Sequence, residues 1–576
     1  MKKKIFLLLT SFALIIGLSF FTFSCIDDIV TKTESGGHTP PPPAPPPVIS
    51  DIKLQATVED LKNFEVPASA IAPNVAILQY GTRGAIITNV TEQSNAVIGR
   101  YIEITGQIKP QTDTSNGRTT ENIRFMAALP ETWNGKAVQL GGSGFSGSVS
   151  SSNITGTAPL SVQRPLDMGF LVYMDNSGHQ GAVNDARFAL NNEMLLNWAH
   201  EHIIKSRDTI VAIAKKAYDA EPRLHYYLGN STGGREALSA ATRYGEYFDG
   251  VVSVNPAANF ILLRLWGAIV SSNVYKGWNV NGPITDGSFT GAGFIDDDTV
   301  RNIARACVAK FDRLDNASDS VVSNIWAARA QSAAWMDQIA VDFSLSADQK
   351  ETLNICENGY VLEYNLKNGF NKYPGYAAMQ GTIMNLGSSG WPREPVAADL
   401  NVAQGLWADQ AFKYIIMQDP AYRLLSQPDY RNPSPNVIQR LQWASENIDS
   451  NGPDFDKFIQ RGGKAIISQG WHDDTVSPFA TIQMYENYVK VLGQSRVDSF
   501  LKFYLTPGMT HSGGGTWDCL SALDEWVETG VFPNKTFYLT RPGTNGTRPM
   551  CQYPMWPEFI GSNIRDGADY RIAPKP

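Results

Sequence analysis

Apolar and polar positions change period several times along the chain. Stretches such as AIITNV and YIEITGQI alternate with period two and predict strands before residue 107. Residues 124–129, stopped by Pro130, and residues 136–140 predict two more. Residues 170–174 are almost continuously apolar, the pattern of a strand buried on both faces of a parallel sheet. Apolar residues then recur at helical spacing from 195 to 218, and strands follow at 224–228 and 251–254. Strands alternating with helices predict βα units around a parallel sheet. Beyond about residue 259 that rhythm gives way to tryptophans, glycines and irregular helices. It returns near 455, with strands predicted at 464–468 and 500–505. The economical reading is an α/β core in two parts, 51–259 and 455–576, interrupted by an inserted lid domain, 260–454.

The front of the chain has a different pattern. Lys2, Lys3 and Lys4 precede an apolar run that ends at Ser24 and Cys25, so residues 1–24 read as a secretory signal. A cysteine in that place resembles the lipidated first residue of bacterial lipoproteins. Residues 25–50 then form a lipid anchor and a proline-rich spacer, TPPPPAPPPV, of the extended kind. The expected location is outside the cytoplasm, as an outer-membrane lipoprotein touching the membrane only through Cys25. Asp27 and Asp28 favour exposure on the outer face. The chain has 56 acidic against 48 basic residues, which argues against a nucleic-acid partner. In an exported protein the four remaining cysteines suggest two disulfides, paired by region as Cys307 with Cys356 and Cys519 with Cys551.

The chemistry starts at LHYYLGNSTGGREAL. A strand runs into Gly229-Asn230-Ser231-Thr232-Gly233 and then a helix, the G-x-S-x-G pattern of a nucleophile turn. Ser231 is the candidate nucleophile, and helix N-terminal amides, Thr232 first, face the developing oxyanion. Gly141 and Gly142, in a glycine cluster straight after a strand, are the second candidate oxyanion donors. A serine nucleophile needs a base and an acid to orient it. His472 and His511 alone follow Ser231 in the chain. His511 lies after a predicted strand and before Gly513-Gly514-Gly515, so it is the candidate base; His472 reads as a loop or pocket residue. Asp473 and Asp474 both follow the 464–468 strand, where the acid belongs, with Asp473 preferred. Asp312, Asp315 and Asp319, in FDRLDNASDSVV, have a spacing that suits either a hard-cation site or an acidic solvated turn.

These motifs together resemble the tannase and feruloyl esterase family of α/β-hydrolases. LPETWNGKAVQLGGSGFSG, YYLGNSTGGREAL, YFDGVVSVNP, FIQRGGKAIISQGWHDDTVSP, GMTHSGGG, ALDEWVETGVFPN and TRPMCQYP occur in the family's order, from about residue 129 to 570. The resemblance implies Ser231, Asp473 and His511 as the triad. It also implies a structural calcium held by Asp312, Asp315 and Asp319 with the carbonyls of Ala317 and Val321. The family's usual glycines after the second and third aspartates are Asn316 and Ser320 here. Cysteines usually flank the catalytic serine and histidine in a disulfide, and here Asn230 and Ser512 replace them.

The implied activity is two-step hydrolysis of phenolic esters of feruloyl or galloyl type, as small molecules or linked to polysaccharide, without an organic cofactor. Trp391 and Trp407 are candidates to line an acyl pocket. Competing readings are an esterase for other aromatic or hydroxyalkanoate esters, and a non-catalytic carbohydrate-binding lipoprotein on the same fold.

Overall fold

A computed structural model describes residues 51–576 apart from 74, 98, 158, 160, 277–290, 385–402, 428, 514 and 542–545. The expected signal over residues 1–24, Cys25, the proline-rich stretch, Trp391 and Gly514 lie outside the described residues.

Ten strands form one sheet: β1 (Glu65–Val66), β2 (Thr82–Asn95), β3 (Gly99–Pro110), β4 (Ile123–Pro130), β5 (Lys136–Leu140), β6 (Leu171–Asp175), β7 (Leu224–Asn230), β8 (Gly250–Val254), β9 (Lys464–Gly470) and β10 (Leu501–Thr506). Their order across the sheet is β10-β9-β8-β7-β5-β6-β4-β3-β2-β1. The six strands from β5 onward are parallel, and β4 to β1 extend the sheet antiparallel. This is the α/β-hydrolase architecture the βα rhythm predicts, and the expected strands 170–174 and 500–505 each lie one residue further on.

Both faces of the parallel strands are apolar, and successive side chains enter opposite layers. Tyr226 and Leu228 of β7 pack in one layer and Tyr227 in the other; β8 divides Val252 from Val251 and β9 divides Ile466 from Ala465 in the same way. The first layer is closed by helix Cys519–Thr529 through Leu520 and Leu523, the second by helix Thr232–Arg243 through Ala237 and Leu238. Each large apolar side chain buried in these layers contributes about 1.5–3 kcal/mol. The candidate catalytic residues lie just past the strand ends, where ligands of open α/β sheets bind. Lys136 bridges Asp524 and Glu528 at 2.7 Å each, which fastens the last core helix to β5.

Past α1 (His202–Tyr218) and α2 (Thr232–Arg243), the segment between β8 and β9 is mainly helical, with α3 (Phe260–Val274), α4 (Asp297–Phe311), α5 (Ala347–Asn358), α6 (Ala403–Gln410) and α7 (Pro435–Ile448). It has an apolar cluster of its own, which also takes in Phe145, Phe188 and Trp198 from the first part of the core. The helix expected over 195–218 is regular only over His202–Tyr218, because Asn197–Glu201 forms a wider π turn.

The expected disulfides are corrected: Cys307, Cys356, Cys519 and Cys551 are all free and buried. Their thiols are accommodated by packing and by weak hydrogen bonds instead. Trp335 donates to Cys307 Sγ at 3.3 Å, and Cys519 and Cys551 donate at 3.6 Å to the carbonyls of Pro159 and Pro549. Burial pushes the Cys307, Cys519 and Cys551 thiols up to about 12, so they remain protonated.

Candidate active site

β7 ends at Asn230, and Ser231 turns the chain into helix Thr232–Arg243 with φ 61° and ψ −119°. That conformation costs a non-glycine residue roughly 1–3 kcal/mol and persists only where its surroundings enforce it. Here they do. Ser231 donates its amide to Val254 at 2.9 Å and accepts at its carbonyl from Arg235 and Ala257, both at 3.1 Å. Close backbone approach is the second constraint. A Cβ on Gly229 would lie 2.3 Å from Gly233, and one on Gly141 would lie 2.5 Å from the Gly233 Cα.

The glycine loop after β5 is zipped to this turn. Gly233 donates to the Gly142 carbonyl at 3.0 Å, and Thr232 Oγ1 donates to the Gly144 carbonyl at 2.7 Å. The assignment of Gly141 and Gly142 as oxyanion donors is corrected by the same bonds. The Gly141 amide donates to Leu228 at 2.9 Å and the Gly142 amide to the Glu236 carboxylate at 2.9 Å, so both are already engaged. The amides of Thr232, Ser143 and Gly144 donate to none of the described residues.

His511 follows β10, and its Nδ1 lies 2.9 Å from Asp473 Oδ2. Asp473 is fully buried. The amides of Thr475 and Val476 donate to its other oxygen at 2.8 and 2.7 Å, and Gln469 Nε2 supports Oδ2 at 3.2 Å. Burial pushes the His511 imidazole down, but the charge and hydrogen bond of Asp473, helped by Asp474, outweigh it and hold the imidazole above its usual value. Asp474 makes no hydrogen bond to His511; burial first, then the neighbouring Asp473 charge, pushes its carboxyl up. The geometry thus selects Asp473 from the two candidates. His472 is a link between segments: Gly508 donates to its Nδ1 at 3.0 Å, and its Nε2 faces the Gln380 carbonyl at 3.2 Å. A cavity of about 510 Å³ opens beside the histidine loop, lined by His472, Asp474, Thr510 and Ser512 from the core and by Arg301 and Met384 from the inserted segment.

No hydrogen bond joins Asn230 to Ser512 among the described residues. Asn230 Oδ1 is buried without a partner, and Ser512 is exposed. Asn255 makes the connection instead. Its own backbone is left-handed, with φ 42°, at the end of β8. Its Nδ2 donates to the His511 carbonyl at 3.2 Å and its Oδ1 accepts from Gly470 at 2.8 Å, while Ala257, two residues on, holds Ser231. One short turn therefore holds both Ser231 and the histidine loop. Asn255 and Glu236 are the residues sequence reasoning missed; an asparagine before a proline at a strand end is the only signal for the first.

The aspartate loop after α4 keeps the turns that glycines would favour, because Asn316 and Ser320 adopt φ 67° and 64°. Asp312 accepts from the amides of Asp319 and Val321 at 3.2 and 3.1 Å, and Asp315 accepts from Ala317 at 3.0 Å. Asp315 Oδ2 is buried without a partner, and the Ala317 and Val321 carbonyls accept from none of the described residues. Asp319 meets the Arg548 guanidinium. These oxygens suit a hard cation. Among the described residues, however, no three His, Cys, Asp or Glu side chains are gathered tightly enough to hold a metal.

Trp407 packs on Phe145, with ring centroids 4.9 Å apart, and its edge lies 2.8 Å from where a Cβ on Gly144 would stand. The tryptophan thus borders the glycine loop.

Comparison with known proteins agrees with this architecture. The family model described as tannase and feruloyl esterase matches residues 102–573. An uncharacterized esterase of Agrobacterium fabrum is 36% identical over 480 residues, covering 80% of this chain and 83% of the relative. A mono(2-hydroxyethyl) terephthalate hydrolase of Piscinibacter sakaiensis is 25% identical over 535 residues, covering 84% and 86%. Among solved structures, feruloyl esterase B of Aspergillus oryzae superposes with a TM-score of 0.67 at 20% identity, covering 85% of this chain and 97% of its own. With an α/β-hydrolase sheet and a family match over most of its length, the chain belongs to the tannase and feruloyl esterase family and is a carboxylic ester hydrolase.

Proposed function

We propose that the protein hydrolyses phenolic esters by a serine acyl-enzyme mechanism, with Ser231, His511 and Asp473 as its triad. The observation that carries this is the shared turn: residues 255–257 bond both the Ser231 carbonyl and the His511 carbonyl, while Asp473 receives His511 Nδ1. Ser231 Oγ attacks the ester carbonyl carbon as its proton passes to His511 Nε2. Asp473 fixes the tautomer with the proton on Nδ1 and stabilises the imidazolium. The Thr232 amide, with an amide of Ser143 or Gly144, takes the oxyanion. The carbon–oxygen bond to the alcohol then breaks, and the imidazolium protonates the leaving oxygen. Water adds to the acyl-enzyme, giving its proton to His511, and release of the acid returns that proton to Ser231.

An aromatic acyl group is supported by the Trp407 ring beside the glycine loop and by relatives named for feruloyl and terephthaloyl esters. The test is turnover of methyl ferulate, methyl gallate and p-nitrophenyl acetate by wild type and Ser231→Ala. The variant is expected to lose at least about a thousandfold in kcat. Wild-type turnover that survives the substitution removes Ser231 as nucleophile, and no turnover of any ester favours the carbohydrate-binding reading.

We further propose that Asp312, Asp315 and Asp319, with the Ala317 and Val321 carbonyls, hold a structural calcium, whose binding would draw the three carboxylates closer together and release Asp319 from Arg548. The unpartnered Asp315 Oδ2 supports it. Chelation is expected to lower the melting temperature; an unchanged temperature in protein free of metal refutes it.

A further inference from the structure

Two arginines are buried near the strand ends, and they differ in one respect. Arg235 spends its guanidinium on the carbonyls of Ala199, Ile448 and Trp198 at 3.1–3.3 Å, with Glu236 close by. Arg264, on α3, is 5% exposed and has no ion pair among the described residues. Its Nε and Nη1 are buried with no hydrogen-bond partner. A buried cation left unpaired costs several kcal/mol. The rings of Phe260 and Trp407, 5.1 and 5.8 Å from the guanidinium carbon, offset part of that cost but supply no acceptor. Burial pushes the guanidinium down to about 10, so it stays charged at neutral pH.

Its surroundings place it at the catalytic centre. Trp407 borders Gly144, whose carbonyl accepts from Thr232. The Arg264 charge is felt at His511, and at Tyr373 and Tyr376, which bond the Ser477 amide and the Thr475 carbonyl of the Asp473 loop. One aromatic ring, Trp407, thus stands between the unpaired guanidinium and the glycine loop beside Ser231.

We infer that Arg264 is a specificity residue that binds a carboxylate carried by the substrate. This deepens the serine-esterase reading and rests on it. The carboxylate has two possible sources: the far end of an aromatic diacid acyl group, or the alcohol released. A fixed guanidinium matches a carboxylate through paired N–H bonds, and an uncharged ester leaves it unpaired.

The experiment compares kcat/KM for monomethyl terephthalate against methyl benzoate, and for chlorogenate against methyl caffeate, in wild type and Arg264→Gln. The preference for the charged member is expected to fall about 10–100-fold in one pair, and that pair identifies the source. An unchanged preference in both overturns the inference. Because a buried substitution can impair folding, wild type supplies a second measurement: terephthalate or quinate should inhibit more tightly than terephthalamide or quinamide, and equal inhibition refutes the site. Melting of Ser231→Ala with terephthalate or quinate separates this inference from the reading beneath it. A rise that Arg264→Gln abolishes supports the site even if no ester is turned over, and no rise with either anion overturns it.

Discussion

Among the described residues, two histidine–aspartate pairs have nearly equal geometry. His202 Nδ1 lies 2.7 Å from Asp175, and His511 Nδ1 lies 2.9 Å from Asp473. Their second nitrogens differ. His202 Nε2 faces Glu236 at 3.6 Å inside a sealed core, whereas His511 Nε2 bonds to none of the described residues and its side chain is 13% exposed. Burial alone would push His202 down, but Asp175 and Glu236 together hold it up at about 9. The first pair is locked as an ion and supports the glycine loop, since Glu236 also accepts the Gly142 amide. The second keeps one nitrogen available for a proton in transit. A carboxylate beside a histidine is not what makes a base; an accessible second nitrogen is.

The sharpest way to break that contrast is to replace each histidine. His511→Gln is expected to cost at least about a thousandfold in kcat with little change in the urea midpoint. His202→Gln is expected to do the reverse, lowering stability at neutral pH. The His202 folded-state value near 9 stands above the unfolded value of 6.5. Its contribution, of the order of 3 kcal/mol, is therefore full below pH 6.5 and lost as pH rises through 9. Urea unfolding at pH 6 and 9.5 should show that fall in wild type and a flatter profile in the variant.

A smaller effect separates positioning from chemistry. Asn255→Gly keeps the left-handed backbone but removes the donor to the His511 carbonyl. The expected result is a kcat loss of about tenfold with KM nearly unchanged, the size of one hydrogen bond, together with a lower melting temperature because the Gly470 amide loses its acceptor as well. A loss seen only in melting temperature would make Asn255 purely structural. The smallest effect belongs to Asp474. With His511 held above its ordinary value, the acid limb of kcat/KM should lie above pH 6.5, because the base must be neutral. Asp474→Asn removes a charge that raises it and should move the limb down. A limb that stays put removes Asp474 from the electrostatics of the base.

The places of Ser231, Asp473 and His511, the proposed triad, were legible because each follows a strand whose apolar run is unmistakable, in the order that chemistry would require. Gly141 and Gly142 were legible as a loop, but their engagement elsewhere was not, since Glu236, the acceptor of the Gly142 amide, lies 94 residues away. The cysteine pairing failed because spacing carries no information about packing, and each thiol is satisfied within its own surroundings. Arg264 had a signal that went unused: a single cation in FILLRLWGAIV, a run otherwise apolar.

The glycine contacts around the nucleophile turn have a consequence for motion. Gly141, Gly229 and Gly233 meet backbone against backbone, with no side chain between them to yield. Local fraying of one segment strips the others of their acceptors, since Gly141 donates to Leu228 and Gly233 to Gly142. Deuterium should therefore enter these amides together, through a single opening event, rather than at three independent rates.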